Sequence, residues 1–199
     1  RTFASNNATA ITGSATSSAL ASSFSVQITA LAQVQSLKSN PVTTGVALGS
    51  EGRLDIQVGE WTGNSFAGGS NSIVSVAITS TDALSDIATK INNAGGGVSA
   101  VVVTSAGLDR LLIRGSTTGA AAGFQVRTYD ATSAEITDGT TGVGKFAYAY
   151  NSSGASPGFF GMTQTQAAQN SAITIDGIAV SSATNTVSDA VPGVTLNLL

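Results

Sequence analysis

Alternation of apolar and polar positions dominates this chain, and it is clearest from Ser171 to Leu199. Ile173 and Ile175 precede Asp176-Gly177, and Ile178 and Val180 follow it. Two short apolar runs around Asp-Gly predict a β-hairpin, because a two-residue turn needs positive φ, which glycine adopts freely and aspartate tolerates. Pro192-Gly193 predicts a second turn, with φ fixed by proline and the left-handed slot given to glycine. Val194, Leu196 and Leu198 then alternate with Thr195 and Asn197, as in a strand with one buried face.

The same period recurs upstream. Phe24, Val26 and Ile28 face one way and Ser25, Gln27 and Thr29 the other. That strand runs into Leu31, Val34 and Leu37, whose spacing predicts one or two helical turns ended by Asn40-Pro41. Residues 1–22 are Ser, Thr, Ala and Asn rich and read as a weakly ordered lead-in. Leu54, Ile56 and Val58 form one alternating strand, and Val74, Val76 and Ile78 a second. Between Asp82 and Ala94 the period changes: Leu84, Ile87, Ala88 and Ile91 make one helical stripe. Ser80 or Thr81 is positioned to cap it, Asp82 and Asp86 suit its positive end, and Gly95-Gly96-Gly97 stops it. Strands are predicted at Val98–Val103, Arg110–Arg114 and Phe124–Tyr129, with short strands and loop from Asp130 to Gln164.

These elements predict a β-rich α+β protein of two domains. An antiparallel ββαβββ unit is inserted in a mainly β domain built from both flanks, if the strand at Phe24–Ile28 pairs with the one at Val194–Leu198. The expected division is 1–45 plus 165–199 for the discontinuous domain and 46–164 for the inserted head. The head has its core at 46–130 and a Gly/Ser-rich extension at 131–164.

Composition narrows the function. Of 199 residues 42% are hydrophobic and only 10% charged, against an ordinary ~25% charged. A polar, uncharged surface suits secreted β proteins and subunits that pack together, since burying a hydroxyl costs less than burying a charge. Net charge is -3, and the eight Lys and Arg are scattered, so no patch neutralises phosphates and nucleic acid is not expected as a partner. Cysteine and histidine are absent, which removes disulfides, thiolate metal sites and the commonest general base. No eighteen-residue apolar run is present, so no membrane span is expected. Arg1 is not an initiator methionine and Leu199 stops inside an alternating run, which reads as a piece of a longer protein.

Candidate chemistry is sparse. Gly139–Lys145 has G-x-x-x-x-G-K spacing, but Phe146 stands where a magnesium-holding hydroxyl belongs and no helix pattern follows. The acids sit at turns, at the helix start or on outer strand faces rather than as a facing pair. Asp130, Glu135 and Asp138 are near enough in sequence to share calcium, without matching a loop motif. A Ser–Lys dyad through Lys38, Lys90 or Lys145 has no serine in a nucleophile elbow. Asn7-Ala8-Thr9 and Asn151-Ser152-Ser153 fit the glycosylation pattern, which is frequent in such sequence. No catalytic, cofactor-binding or metal residue is assigned. Trp61, Phe66, Phe146, Tyr148, Tyr150, Phe159 and Phe160 are aromatics among small residues. Either they pin loops onto the core, or they are anchors for a partner subunit; Trp61, Phe66, Tyr148, Tyr150, Phe159 and Phe160 are the interface candidates.

The closing stretch resembles a known family. Ala172–Val180, Ser182, Asn185-Thr186-Val187, Asp189–Leu196 and Leu198 are similar to the segment of the bacterial flagellar filament cap family (FliD, hook-associated protein 2) that leads into its helical C-terminal part. Phe24–Leu37 is similar to that family's V-x-V-x-x-L-A-x-A-Q pattern, with Val34 in place of alanine. Asp82–Val103 is similar to its helix, I-N-x-A and V-x-A sequence. The resemblance implies a structural, non-enzymatic plate of identical subunits at the extracellular tip of the flagellum. That plate would be a ring-like, pentamer-like cap that partners flagellin and promotes its polymerisation for motility. It implies the plate domains without the terminal leg helices, and no cofactor. The rival reading of the residues alone is an adhesion or carbohydrate-binding surface domain using Trp61 and the Tyr148/Tyr150 pair.

Overall fold

The computed structural model describes residues 1–150 and 159–199, so the pattern at Asn151-Ser152-Ser153 lies outside the described residues. In chain order the strands are β1 (Ile11–Ala15), β2 (Val26–Ala30), β3 (Ser36–Ser39), β4 (Val42–Thr43), β5 (Gly52–Thr62), β6 (Ser65–Ala67) and β7 (Val74–Ile78). After the helix α1 (Leu84–Ala94) come β8 (Val98–Ser105), β9 (Leu108–Gly115), β10 (Gly123–Asp130), β11 (Tyr148–Ala149) and β12 (Phe159–Phe160). The last are β13 (Met162–Gln166), β14 (Ser171–Ile175), β15 (Ile178–Ser182), β16 (Thr186–Val191) and β17 (Val194–Leu198). Among the described residues the protein is β-rich, with one α-helix and several sheets whose strands pair antiparallel.

Two compact units divide the chain, at 1–33, 118–120 and 169–199 and at 34–117 and 121–168. In the first unit, two three-stranded sheets, β1-β17-β16 and β15-β14-β2, share a core of Ile173, Ile175, Val187, Val194, Leu196 and Leu198. The Asp176-Gly177 hairpin forms with both residues left-handed (φ 47° and 85°) and pairs Ile175 with Ile178. Two expectations are corrected here. β2 pairs with β14, not with β17. β17 pairs on one side with β16 and on the other with β1, which lies inside the segment read as a lead-in, with Ile11 opposite Leu198 and Ala15 opposite Val194. Composition hid that strand because backbone pairing, not side-chain alternation, defines it. Gly13 allows the close approach: a Cβ there would sit 2.5 Å from the Thr195 carbonyl.

The second unit holds two sheets. One runs β12-β11-β10-β5-β6, with β7 also on β5; the other runs β13-β3-β9-β4, with β8 on β9. Leu54, Ile56, Ile87, Ile91, Leu111, Ile113 and Phe124 are buried in its core. The three strands after the helix were expected in one sheet. They separate because β9 is filled on both edges, by β8 on one side and by β3 and β4 on the other. β10 instead pairs along its whole length with β5.

The segment Leu31–Leu37 is extended rather than helical. Gln33 bridges Gln169, and Ser36 begins β3. Because β3 lies between β9 and β13, the unit boundary falls at 33/34 and at 168/169 instead of 45/46 and 164/165.

Helix α1 buries the expected stripe, Leu84, Ile87, Ala88 and Ile91, and ends on left-handed Gly95 (φ 67°). Its N-cap is Ala83 rather than Ser80 or Thr81. The Asp86 carboxylate accepts the Ala83 N–H, 2.9 Å, so the first turn is capped from inside. Asp82 accepts the Thr79 N–H, 2.7 Å, and pairs with Lys90.

Candidate functional site

Five of the aromatics singled out from sequence meet on one patch of the second unit. Trp61 lies one residue before the end of β5, and Phe66 faces it across the tight turn from β5 to β6, with ring centroids 4.9 Å apart. Tyr148 on β11 lies opposite Phe160 on β12, 5.1 Å between rings. Trp61 joins the two pairs, 5.6 Å from Tyr148 and 5.9 Å from Tyr150. Tyr150 closes the cluster 5.0 Å from Phe160, edge to face. Such tilted and edge-on pairs add about 0.5–1.5 kcal/mol each beyond area burial.

The backbone underneath explains why so many rings fit. Gly123 lies opposite Gly59 where β10 meets β5. A Cβ at Gly59 would reach 2.8 Å from the Phe66 ring, and one at Gly123 would reach 3.0 Å from Trp61. The indole N–H of Trp61 donates to the Phe124 carbonyl, 3.0 Å. Beneath it the Gln35 side chain, with no exposed surface, donates to that same carbonyl, 2.9 Å, and accepts the Phe124 N–H, 2.7 Å.

Exposure is graded across the cluster. Trp61, Phe66, Tyr148 and Tyr150 are half-buried, while Phe160 is exposed. Phe146 is separate: it lies in the core, 1% exposed. Phe159 contributes backbone to β12, and its side chain lies outside the described residues. Trp61 is not an open platform, since its polar edge is spent inward. Burial, with Tyr150 adding to it, raises the pKa of the Tyr148 hydroxyl, which favours its neutral form.

The ionisable groups are dispersed. Asp130 accepts from Thr132 and Ala134, Glu135 pairs with Arg127, and Asp138 accepts from Thr140 and Thr141. Each of the three acids considered for calcium thus has its own local partners. Arg53 pairs with Asp55 and lies 4.0 Å over the Tyr129 ring. The Gly139–Lys145 stretch leads into a short 3-10 turn, Gly142–Phe146, and not into the α-helix that phosphate binding uses. Sequence reasoning missed Gln35, Gly59 and Gly123, which support the rings. The one available signal was the pairing of two glycines with an aromatic close to each in sequence.

The arrangement is that of a β-rich protein whose distinctive surface is a packed aromatic patch rather than a set of converging ionisable groups. Residues 168–199 match the model for the C-terminus of flagellar hook-associated protein 2, and residues 65–117 match the flagellin hook IN motif. The whole chain is 29% identical to the B-type flagellar hook-associated protein 2 of Pseudomonas aeruginosa, spanning 40% of that protein's length. Among solved structures, the D1-D2-D3 domains of the Escherichia coli flagellar cap protein FliD superpose with a TM-score of 0.75. That likeness has 29% identity, over 96% of this chain and 49% of the other. The D2-D3 domains of the same protein give 0.76 at 27% identity, over 96% of this chain and 89% of theirs. FliD of Pseudomonas aeruginosa gives 0.70 at 25%, over 95% of this chain and 78% of that one. The chain is thus similar along its length to flagellar cap (hook-associated protein 2) proteins, and it spans less than half of the curated relative it matches.

Proposed function

We propose that this chain is the plate part of a structural, non-enzymatic flagellar filament cap. It assembles with copies of itself, as a ring-like cap, at the extracellular distal tip, and it promotes polymerisation of flagellin for motility. The observation that carries this is the likeness to cap structures over 96% of the chain, which takes in both compact units. In this reading the second unit is the inserted head domain and the first is the domain made from both flanks. No helix among the described residues is long and apolar enough to cross a membrane. A surface poor in charge suits subunits that shift against one another, since separating a buried ion pair is costly.

The aromatic patch, with Phe160 outermost, is the part of the head that meets a partner subunit. Aromatic side chains are enriched at interface centres, and these already hold one another in place. Deleting the gene that carries this chain should leave cells secreting unpolymerised flagellin, with filaments restored by the intact gene. Normal filaments in the deletion strain would overturn the proposal.

A further inference from the structure

Two aspartates stand directly before a glycine, in Asp138-Gly139 and Asp176-Gly177. In that dipeptide the glycine backbone nitrogen lies within reach of the aspartate Cγ, and no Cβ on the glycine crowds its approach. Both sites hold the same reacting atoms, and the fold treats them differently.

Asp138 is locked. Its Oδ1 accepts the Thr140 hydroxyl and the Thr140 N–H, and its Oδ2 accepts the Thr141 hydroxyl. The Thr140 and Thr141 hydroxyls hold its carboxyl below the ordinary 3.8, so it stays ionised, and an ionised carboxyl is the poorer target for a nucleophile. Gly139 is packed as well: a Cβ there would lie 2.7 Å from the Gly161 nitrogen and the Phe160 carbonyl. Asp176 is open. It and Gly177 form the exposed turn between β14 and β15. Its carboxylate accepts one bond, from the Ser25 N–H, 2.8 Å, and nothing lies within 4 Å of a Cβ built on Gly177. Asp176 also holds φ 47°, which is costly for a residue with a Cβ, and the exposed end of a hairpin opens locally at little cost.

We propose that Asp176-Gly177 is a site of spontaneous isoaspartate formation in the folded protein, and that the fold protects Asp138-Gly139. The Gly177 nitrogen bonds to the Asp176 Cγ, its proton passes to solvent, and the bond from Cγ to the carboxyl oxygen breaks. One water is lost and a succinimide ring remains. Water then adds to either ring carbonyl. Opening at Cγ restores aspartate; opening at the main-chain carbonyl carbon gives isoaspartate, whose backbone runs through Cβ and Cγ. Water is the only other reactant and nothing is oxidised or reduced. The main chain gains one atom between Ile175 and Ile178, the pair that the turn closes. The free carboxylate moves to Cα, away from the position where it accepts the Ser25 N–H. β14 is the middle strand of β15-β14-β2, so the change falls beside the core residues Ile173 and Ile175.

Ageing the intact chain at mildly acidic pH and physiological temperature tests this. Isoaspartyl methylation counts the product, and digestion with a protease that cuts before aspartate but not before isoaspartate locates it. Asp138 must release two more hydrogen bonds than Asp176 before its carboxyl can turn, so isoaspartate should accumulate at Asp176 at least ~10-fold faster. In urea, where neither site has a fold around it, the two rates should converge. Asp176→Glu, which would need a six-membered ring, should abolish methylation of the folded chain. Comparable rates at the two sites in the folded chain would overturn the proposal. So would an absence of isoaspartate at Asp176 by the time the urea-unfolded chain has accumulated it.

Discussion

Gln35 and Phe124 exchange two hydrogen bonds through a single side chain. The Gln35 amide donates to the Phe124 carbonyl at 2.9 Å and its oxygen accepts the Phe124 N–H at 2.7 Å, with Gln35 wholly buried. The amide does what a neighbouring strand would do for the start of β10. Meanwhile the Gln35 backbone carbonyl accepts the Gly115 N–H, 2.9 Å. One residue thus ties the ends of β9 and β10 together within the second unit.

Gln35→Leu keeps volume and removes both bonds. The Phe124 carbonyl retains Trp61, but the Phe124 N–H loses its partner. An orphaned buried donor costs about 1–3 kcal/mol. The denaturation midpoint in urea should fall by that amount at an unchanged slope. Gln35→Glu should cost at least as much, because a carboxylate oxygen then faces the Phe124 carbonyl where a donor stood.

Trp61 is the one tryptophan of the chain and reports on the patch directly. Trp61→Phe removes the bond to Phe124 while keeping an aromatic ring, at a cost of about 0.5–1.5 kcal/mol. Phe160→Ser should leave stability nearly unchanged, as Phe160 is 41% exposed, and leave Trp61 emission close to that of the parent. In the deletion strain it should nevertheless restore motility poorly. Phe146→Ser is the contrast: a buried ring is lost, unfolding comes first, and about 3 kcal/mol or more disappears. Full motility with Phe160→Ser would remove the patch from the list of partner surfaces.

Legibility in the sequence followed the kind of force that shapes each element. The hairpin at Asp176-Gly177 and the helix ended by Gly95 were readable because a backbone constraint and a side-chain period agree there. β1 was not readable, since Ile11–Ala15 is specified by its ladder with β17 rather than by its own alternation. Leu31, Val34 and Leu37 mimicked a helical stripe because the decisive buried residue, Gln35, is polar by type. Nothing local announces that its amide will be satisfied by Phe124, 89 positions away in the chain. Of the patch, the unusual aromatics were visible, but their convergence depends on β10 pairing with β5.

Acid sensitivity should centre on Asp82. Burial raises its pKa, but hydrogen bonds from Lys90 and Thr79 and the charge of Lys90 outweigh it, leaving the carboxyl below its ordinary 3.8. A folded pKa below the unfolded one contributes stability that is present above the unfolded value and lost as pH falls through the folded one. Asp130 and Asp138 act in the same direction through bonds from Thr132 and Thr140. Stability should therefore be flat near neutrality and decline once pH drops toward the unfolded carboxylate value of about 3.9. Asp82→Asn should lower the neutral plateau and make the acid decline shallower. Chemical denaturation at a series of pH values measures both, and a slope identical to the parent's would count against Asp82.

The hairpin turn offers the sharpest separation of backbone from side-chain effects. Asp176 is left-handed, and it also meets Ser25 twice: its N–H donates to the Ser25 carbonyl, 2.9 Å, and its carboxylate accepts the Ser25 N–H, 2.8 Å. Asn at 176 keeps both the acceptor and the tolerance for positive φ. Asp176→Asn should therefore change stability by less than about 0.5 kcal/mol. Asp176→Gly keeps the backbone and loses the acceptor, exposing the cost of the Ser25 bond alone, about 1 kcal/mol. Asp176→Ala loses the acceptor and adds left-handed strain, a further ~1 kcal/mol. The expected order of melting temperature is parent, Asn, Gly, Ala. An alanine variant as stable as the glycine one would mean that the left-handed turn is not kept in solution.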